Sequence, residues 1–239
     1  MISVCMASYN GGKFIKQQLE SILKQLSTDD EVIISDDSST DDTLKVIHSL
    51  NDNRIKIISN QNFKNPIFNF ENALKKANGE FIFLADQDDI WVEGKVEHMT
   101  KLLCQYDMVV TDHSIINEEG EDILESYFLK VSSGPGVVKN LVKNTYFGCC
   151  MAFRARVLNY ALPFPQYIPM HDIWLGFVAD LFFKVKFIDH PYTKYRKHSN
   201  NASNATEVVS SNNLRTKIKY RVNIIRYIPN LIYRKLHKD

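Results

Sequence analysis

The first 105 residues alternate short apolar runs with segments in which apolar residues recur at helical spacing. The apolar runs predict strands at residues 2–7, 31–35, 54–59 and 80–85, and the periodic segments predict helices at 13–25, 41–50, 67–77 and 93–104. Strands separated by helices of about ten residues indicate right-handed crossovers and a mostly parallel sheet with flanking helices. The pattern therefore predicts an α/β fold.

The second half of the chain is less regular. Its pattern predicts strands at 108–111, 149–154 and 185–189, a helix at 172–183, and a loop at 118–136 that is first acidic and then contains glycine and proline. Residues 201–213 are rich in Asn and Ser and predict a linker. We therefore expect one domain at 1–200, this linker, and a C-terminal helix at 214–239.

Composition excludes several classes of protein. With 239 residues, of which 44% are hydrophobic and 24% charged, the chain has enough apolar mass for a sizeable core. No run of about 18 apolar residues predicts a membrane-spanning helix, and the first ten residues lack a signal-peptide pattern. Cys5, Cys104, Cys149 and Cys150 lack metal-ligand spacing, which indicates reduced thiols and a cytoplasmic protein.

Charge is distributed unevenly along the chain. Residues 214–239 carry eight Lys or Arg and one acid, whereas the remainder carries 21 basic and 27 acidic residues. An acidic body with a basic tail is not typical of a nucleic-acid-binding protein.

The basic tail also has an apolar stripe. Its members recur at spacings of three and four, which places them on one helical face: Ile218, Val222, Ile225, Ile228 and Ile232. A stripe beside a cationic face predicts an interfacial helix on an anionic membrane surface, bent or ended near Pro229. Two alternatives stay open: the stripe packs onto the catalytic domain, or it joins two subunits in a homodimer.

Polar clusters follow three of the predicted parallel strands. Ser8-Tyr9-Asn10 follows the first, Asp36-Asp37 the second, and Asp86-Gln87-Asp88-Asp89 the fourth. Ligands bind beyond the carboxyl ends of such strands, and converging carboxylates need a cation such as Mg²⁺ or Mn²⁺. The alternatives are a helix cap at Ser39 or Thr40 for the second cluster and a solvated turn for the third.

Phosphate-binding loops of other enzyme classes are missing. The chain has neither G-x-G-x-x-G after the first strand nor G-x-x-x-x-G-K-[ST]. A nucleotidyltransferase also uses such a sheet with Mg²⁺, but the first loop offers one Lys and no Arg for its phosphates. A non-catalytic sugar-binding protein is the other alternative, although it would need none of these acids.

The ordered set of motifs resembles the family 2 inverting glycosyltransferases with the GT-A fold. The matching segments run in the family's order over roughly residues 2–200: Ala7-Ser8-Tyr9-Asn10-Gly11, Asp36-Asp37-Ser38-Ser39-Thr40-Asp41-Asp42-Thr43, Leu84-Ala85-Asp86-Gln87-Asp88-Asp89-Ile90-Trp91, Gly148-Cys149-Cys150-Met151-Ala152-Phe153, His171-Asp172-Ile173-Trp174 and Tyr195-Arg196-Lys197-His198.

The resemblance implies a role for each motif. Residues 1–105 would bind the nucleotide-sugar and 106–200 the acceptor, with Asp172 as the general base. Asp88 and His198 would hold the metal. Asp36 and Asp37 would contact the nucleobase, and Asp86 would contact the ribose. The other implied contacts with the nucleotide-sugar are Ser8, Tyr9 and Asn10. The residues expected near the acceptor or the donor sugar are Asp89, Trp91, Gly148, His171 and Trp174. Two alternatives stay open: the two tryptophans only pack in the core, and Asp172 is the N-cap of the predicted helix that ends at residue 183.

The last two motifs look most like those of bacterial rhamnosyltransferases of surface-polysaccharide synthesis. The resemblance implies dTDP-rhamnose as donor, with UDP-hexose and UDP-N-acetylhexosamine as alternatives, since Ile173 replaces a Trp that is frequent in such members. It also implies a glycan acceptor on a lipid carrier, so we expect a peripheral enzyme on the inner face of the cell membrane.

Overall fold

The computed structural model describes residues 1–199, 201 and 213–238, and it confirms the predicted α/β class. The strands are β1 (Ile2–Ser8), β2 (Glu31–Asp36), β3 (Ile55–Ile58), β4 (Phe81–Asp86), β5 (Ile90–Trp91), β6 (Met108–Ile116), β7 (Asp122–Leu124), β8 (Met151–Arg154) and β9 (Val185–Arg196). The helices are α1 (Ile15–Leu23), α2 (Thr43–Ser49), α3 (Pro66–Leu74), α4 (Lys95–Leu103), α5 (Val137–Val142), α6 (Leu158–Ala161), α7 (His171–Phe182), α8 (Leu214–Ile225) and α9 (Ile228–Lys238). Two 3₁₀ turns, Gly148–Cys150 and Ala155–Val157, flank β8.

Within the described residues, one sheet of nine strands runs through both halves of the domain. Its order is β3-β2-β1-β4-β8-β6-β9-β5, and β7 pairs with β6. The first four strands are parallel, whereas β8 is antiparallel to both of its neighbours. Ser8 pairs with Asp36, and Ala7 pairs with Asp86. This register brings the three predicted polar clusters to one edge of the sheet.

The second half differs from the prediction in its strand lengths. β6 and β9 continue well beyond the predicted 108–111 and 185–189 because they pair with each other from Met108 and Val185 to Ile116 and Arg196. The predicted loop at 118–136 contains β7, which pairs with β6. Tertiary pairing buries the polar middle of β6, and apolar periodicity does not detect such strands.

Two apolar clusters enclose the sheet. Val4, Leu19, Ile22 and Met99 belong to the cluster that α1 and α4 cover. Residues of α3, α6 and α7 belong to the other cluster, which is larger. The sheet is therefore fixed on both faces, and its carboxyl edge is left for ligands.

The C-terminal segment forms two helices, α8 and α9, instead of the single predicted helix. Pro229 is the second residue of α9, so the break lies near the proline, as predicted. Ile224 and Leu231 are buried against the domain. Arg221 donates to the Leu141 carbonyl, and Arg234 donates to the Tyr160 carbonyl at 2.7 Å. The tail therefore packs on the catalytic domain, which is one of the predicted alternatives.

The predicted apolar stripe lies mostly away from this packed face. Ile218, Val222, Ile225 and Ile232 are 46–53% exposed, whereas Ile228 is partly buried against the core. No helix in the described residues has the length and apolar character to cross a bilayer. The predicted linker at 201–213 falls almost entirely outside those residues.

Candidate active site

A cavity of about 680 Å³ opens at the carboxyl edge of β1, β2 and β4. Most predicted site residues line it: Ser8, Tyr9, Asp37, Asp86, Asp88, Gly148, His171 and Asp172. The volume suits a nucleotide-sized ligand. The two halves of the domain therefore contribute to a single cleft.

The carboxylates after β2 have different surroundings. Asp36 is fully buried, and its oxygens accept hydrogen bonds from the Ser8 hydroxyl at 2.8 Å and from the amide and hydroxyl of Ser39. It does not line the cavity, so the predicted contact with the base is wrong for Asp36. Asp37 faces the cavity, and one of its oxygens accepts from the Phe63 amide at 2.6 Å. Asp36 shapes the loop, and Asp37 is available to ligand.

The Gln87 side chain, for which the sequence predicted no role, holds the loop after β1 in place. The Gln87 side chain donates to the Tyr9 carbonyl and accepts from the Tyr9 amide, both at 3.0 Å. A Cβ at Gly11 would lie 2.2 Å from Gln87 Oε1, so only glycine allows this approach. The Asn10 side chain accepts from the Thr40 amide at 2.8 Å and does not line the cavity.

The two predicted metal ligands are in direct contact. His198 Nε2 lies 2.8 Å from Asp88 Oδ2, and the Asn201 amide is 3.5 Å from the same oxygen. Adjacent ligands of an octahedral ion with bonds of about 2.0–2.1 Å stand about 3 Å apart. Without a metal the two atoms are at hydrogen-bond distance, and the carboxylate oxygen and the imidazole nitrogen can become ligands of Mg²⁺ or Mn²⁺ when the pair separates around the ion.

Arg196 ties this acidic loop to the end of β9. Its backbone amide donates to Asp89 Oδ1 at 3.0 Å, and its Nε donates to the Asp88 carbonyl at 2.9 Å. The guanidinium also donates to the Glu118 carbonyl at 2.9 Å and to Gln17 Oε1 at 2.7 Å. Asp89 is buried beneath the loop and does not line the cavity, so the predicted role near substrate becomes a structural one.

Burial raises the pKa of Asp86, and the neighbouring Asp88 and Asp172 carboxylates raise it further. Burial likewise raises the pKa of Asp89 well above its usual range. Ionisation of these groups together is unfavourable without positive charge, so the cluster favours a cation.

Asp172 lines the same cavity as this cluster, and its charge is one of those that raise the pKa of Asp86. Its Oδ2 accepts from the Gly148 amide at 3.2 Å, and its Oδ1 accepts from the Ile173 amide at 2.7 Å. Helix α7 begins at His171 with Met170 as N-cap, so the alternative that Asp172 caps the helix is wrong. Burial raises the pKa of Asp172 to about 6. A carboxylate with this pKa suits a general base near neutral pH.

His171 and the two tryptophans have different environments. The His171 ring stacks on Phe70 with centroids 3.9 Å apart, and burial lowers its pKa to about 3, so the imidazole is neutral. Trp174 is buried and donates to the Ala161 carbonyl at 2.9 Å, whereas Trp91 packs against Phe83. Neither tryptophan lines the cavity, so both have the packing role that the sequence left open.

Comparison with known proteins gives a consistent result. The family model "Glycosyl transferase family 2" matches residues 3–161. The dTDP-rhamnosyl transferase RfbG of Shigella flexneri is 30% identical over 250 residues, which cover 96% of this chain and 81% of the relative. A UDP-Glc:alpha-D-GlcNAc-diphosphoundecaprenol beta-1,3-glucosyltransferase of Escherichia coli, WfgD, is 29% identical, covering 75% of this chain and 70% of the relative.

The fold also matches solved structures. Staphylococcus aureus TarS in complex with UDP-GlcNAc superposes with a TM-score of 0.73 at 21% identity, over 94% of this chain and 66% of the TarS chain. The GT-A-type architecture is thereby confirmed at the level of the fold. With the matched segment covering most of the catalytic domain, this chain belongs to glycosyl transferase family 2.

Proposed function

We propose that this glycosyltransferase moves a sugar, with inversion, from a nucleoside diphosphate donor to a hydroxyl of a surface-polysaccharide acceptor. One observation carries the proposal: Asp172, held by the Gly148 amide, lines the same cavity as the Asp86 and Asp88 carboxylates. A base and an acidic loop in one cavity supply the two functions that glycosyl transfer requires.

The residues divide the chemistry between them. Asp172 accepts the proton of the acceptor hydroxyl, whose oxygen attacks the anomeric carbon as the bond to the diphosphate breaks. A divalent cation, when bound, neutralises the charge that develops on the departing diphosphate, and Asp88 and His198 would hold it. Asp172 acts as base and not as nucleophile, so the acceptor oxygen displaces the diphosphate in a single step that inverts the anomeric centre.

The donor is proposed to carry a pyrimidine nucleotide. RfbG is named for dTDP-rhamnose and WfgD for UDP-Glc, and both nucleotides present the same N3–H donor to an acceptor such as Asp37. We place dTDP-rhamnose first and UDP-glucose second, with UDP-N-acetylhexosamine as a further alternative.

A panel of nucleotide sugars tests this assignment. Each is added with Mn²⁺ or Mg²⁺, and the shift in melting temperature is measured, since a ligand that binds only the folded state stabilises it. The true donor should give a larger shift than its free nucleotide, followed by turnover with a lipid-linked glycan. Equal shifts for GDP-sugars would contradict the pyrimidine assignment.

We further propose that the enzyme works at the inner face of the cell membrane on a lipid-linked acceptor. The name of WfgD specifies a diphosphoundecaprenol acceptor. On α8, the exposed Ile218, Val222 and Ile225 stand beside cationic residues such as Arg215 and Lys219, as an anionic bilayer surface requires. The same exposed stripe is the surface that a homodimer would use.

A further inference from the structure

Lys95 is a fully buried lysine beneath the acidic loop, at the first position of α4. Its Nζ donates to the Cys149 carbonyl at 2.6 Å and to Thr193 Oγ1 at 2.7 Å, and it lies 4.4 Å from the centre of the Trp91 ring. Two oxygen acceptors and an indole face are the surroundings of a charged ammonium group.

A buried ammonium group is costly unless opposite charge compensates it. Ligand atoms of Asp86, Asp89 and Cys149 lie within 4.8 Å of one another. Asp89 Oδ2 is buried and has no hydrogen-bond partner in the described part of the chain. Burial lowers the pKa of Lys95, and nearby negative charge opposes this shift, first that of Cys150 and Cys149 and then that of Asp89 and Asp86. The lysine and these carboxylates therefore compensate one another.

The contacts of Lys95 also join separate parts of the site. Cys149 directly follows Gly148, whose amide donates to Asp172, while Thr193 lies in β9 three residues before Arg196. A single side chain thus connects the turn beside the base, the last long strand and, through Trp91, the segment that follows the acidic loop. A neutral side chain of equal size would fill the space without making these bonds.

We propose that Lys95 is the internal counter-cation of the Asp86–Asp89 loop and a positioning residue that fixes this loop against the turn supporting Asp172. The inference rests on the proposed function, in which the loop binds a cation and a diphosphate. Lys95 therefore acts on both ligands through its charge: it weakens the binding of the cation and strengthens that of the anion. A purely structural residue would affect both ligands in the same direction.

Lys95→Met keeps the length of the side chain and removes its charge. The two measurements are the Kd of Mn²⁺ without nucleotide and the Kd of UDP in excess chelator. We expect the variant to bind Mn²⁺ about 10-fold more tightly and UDP about 10-fold more weakly than the wild type. A change in Kd of this size is what the loss of one unit charge several ångströms away produces at a partly solvated site. Lys56→Met is the matched control because the half-exposed Lys56 pairs with Glu31, away from the cavity.

Opposite shifts in Lys95→Met, absent in Lys56→Met, would support the proposal. Weakening of both ligands together, or shifts equal to those of the control, would overturn it. Should Lys95→Met fail to fold, Lys95→Gln keeps N–H donors without charge and must show the same opposite shifts. A wild-type protein that binds no Mn²⁺ would contradict the metal site of the proposed function, whereas the UDP measurement would still decide the role of Lys95.

Discussion

His198 Nε2 lies 2.8 Å from Asp88 Oδ2, so a residue just beyond β9 completes the loop that follows β4. The two side chains come from opposite halves of the catalytic domain. Their contact closes the acidic loop on the side where Asn201 also approaches it. Opening this pair around a cation would make each side chain a ligand.

Activity should therefore require a divalent metal. Excess chelator should abolish donor turnover, and Mn²⁺ or Mg²⁺ should restore it. His198→Ala should raise the metal concentration for half-maximal activity about 10-fold or more, the scale of effect known for groups that support metal sites. Steady-state rates over a metal titration measure this, and full activity in chelator would contradict a metal-dependent mechanism.

Asp88→Ala should weaken metal-dependent donor binding more than it weakens the fold. The substitution removes a metal ligand but also removes a negative charge that raises the pKa of Asp86 and of Asp89. Donor Kd with Mn²⁺ and melting temperature are compared with those of Asp42→Ala, an exposed carboxylate outside the cavity. A variant that melts far below the control yet binds donor normally would indicate a structural role.

The rate should depend on pH through Asp172. Its pKa is raised to about 6, and the base acts when deprotonated, so kcat/KM should fall as the pH falls through this value. Stability should move in the opposite direction. The folded state favours the protonated form of Asp172, so this group adds to the free energy of unfolding at low pH. That stabilisation is fully present below the unfolded pKa of about 3.9 and is lost as the pH rises through about 6. A kcat/KM profile flat from pH 5 to 8 would exclude Asp172 as the base.

Asp172→Asn should separate the two consequences of this environment. We expect kcat to fall about 10²-fold or more while donor affinity is retained, since the amide cannot accept the acceptor's proton. The same change should alter the free energy of unfolding by no more than about 1–2 kcal/mol at pH 7.5, because removal of the buried charge is offset by the loss of one of the two oxygens that accept from the Gly148 and Ile173 amides. Calorimetric melting, donor titration and single-turnover rates give the three quantities. Near wild-type turnover would move the base elsewhere.

The exposed stripe of α8 should hold the protein on anionic vesicles. Val222→Asp combined with Ile225→Asp should reduce flotation with anionic vesicles without lowering the melting temperature, because both side chains are exposed. Ile123→Asp, an exposed apolar residue on β7, is the control. Removing the whole tail is a poorer test, since Ile224 and Leu231 are part of the core. Unchanged flotation of the double variant, with loss of self-association in sedimentation, would favour the homodimer.

The parallel half of the sheet could be predicted from the sequence because its strands and helices each carry their own apolar period. Parallel strands end at one edge, so the positions of Asp86, Asp88 and the Ser8 loop followed from local pattern alone. The family resemblance supplied Asp172 and His198, which lie far along the chain and have no local signal that joins them to this edge.

Only the tertiary structure decided how each polar residue is used. Asp36 and Asp37 are adjacent and identical in type, yet their environments differ. The Asp36 carboxylate accepts hydrogen bonds from the Ser8 and Ser39 hydroxyls, whereas Asp37 lines the cavity. Lys95 lies four residues before Met99, and both side chains are on the buried face of α4. The helical spacing places Lys95 on this face, but it does not identify the groups that the buried ammonium contacts. Arg196 is the last residue of β9, a strand that the sequence predicted to end at residue 189. Periodicity reports which face of an element is buried, whereas the partners inside that burial come from distant segments and are settled by packing and charge compensation.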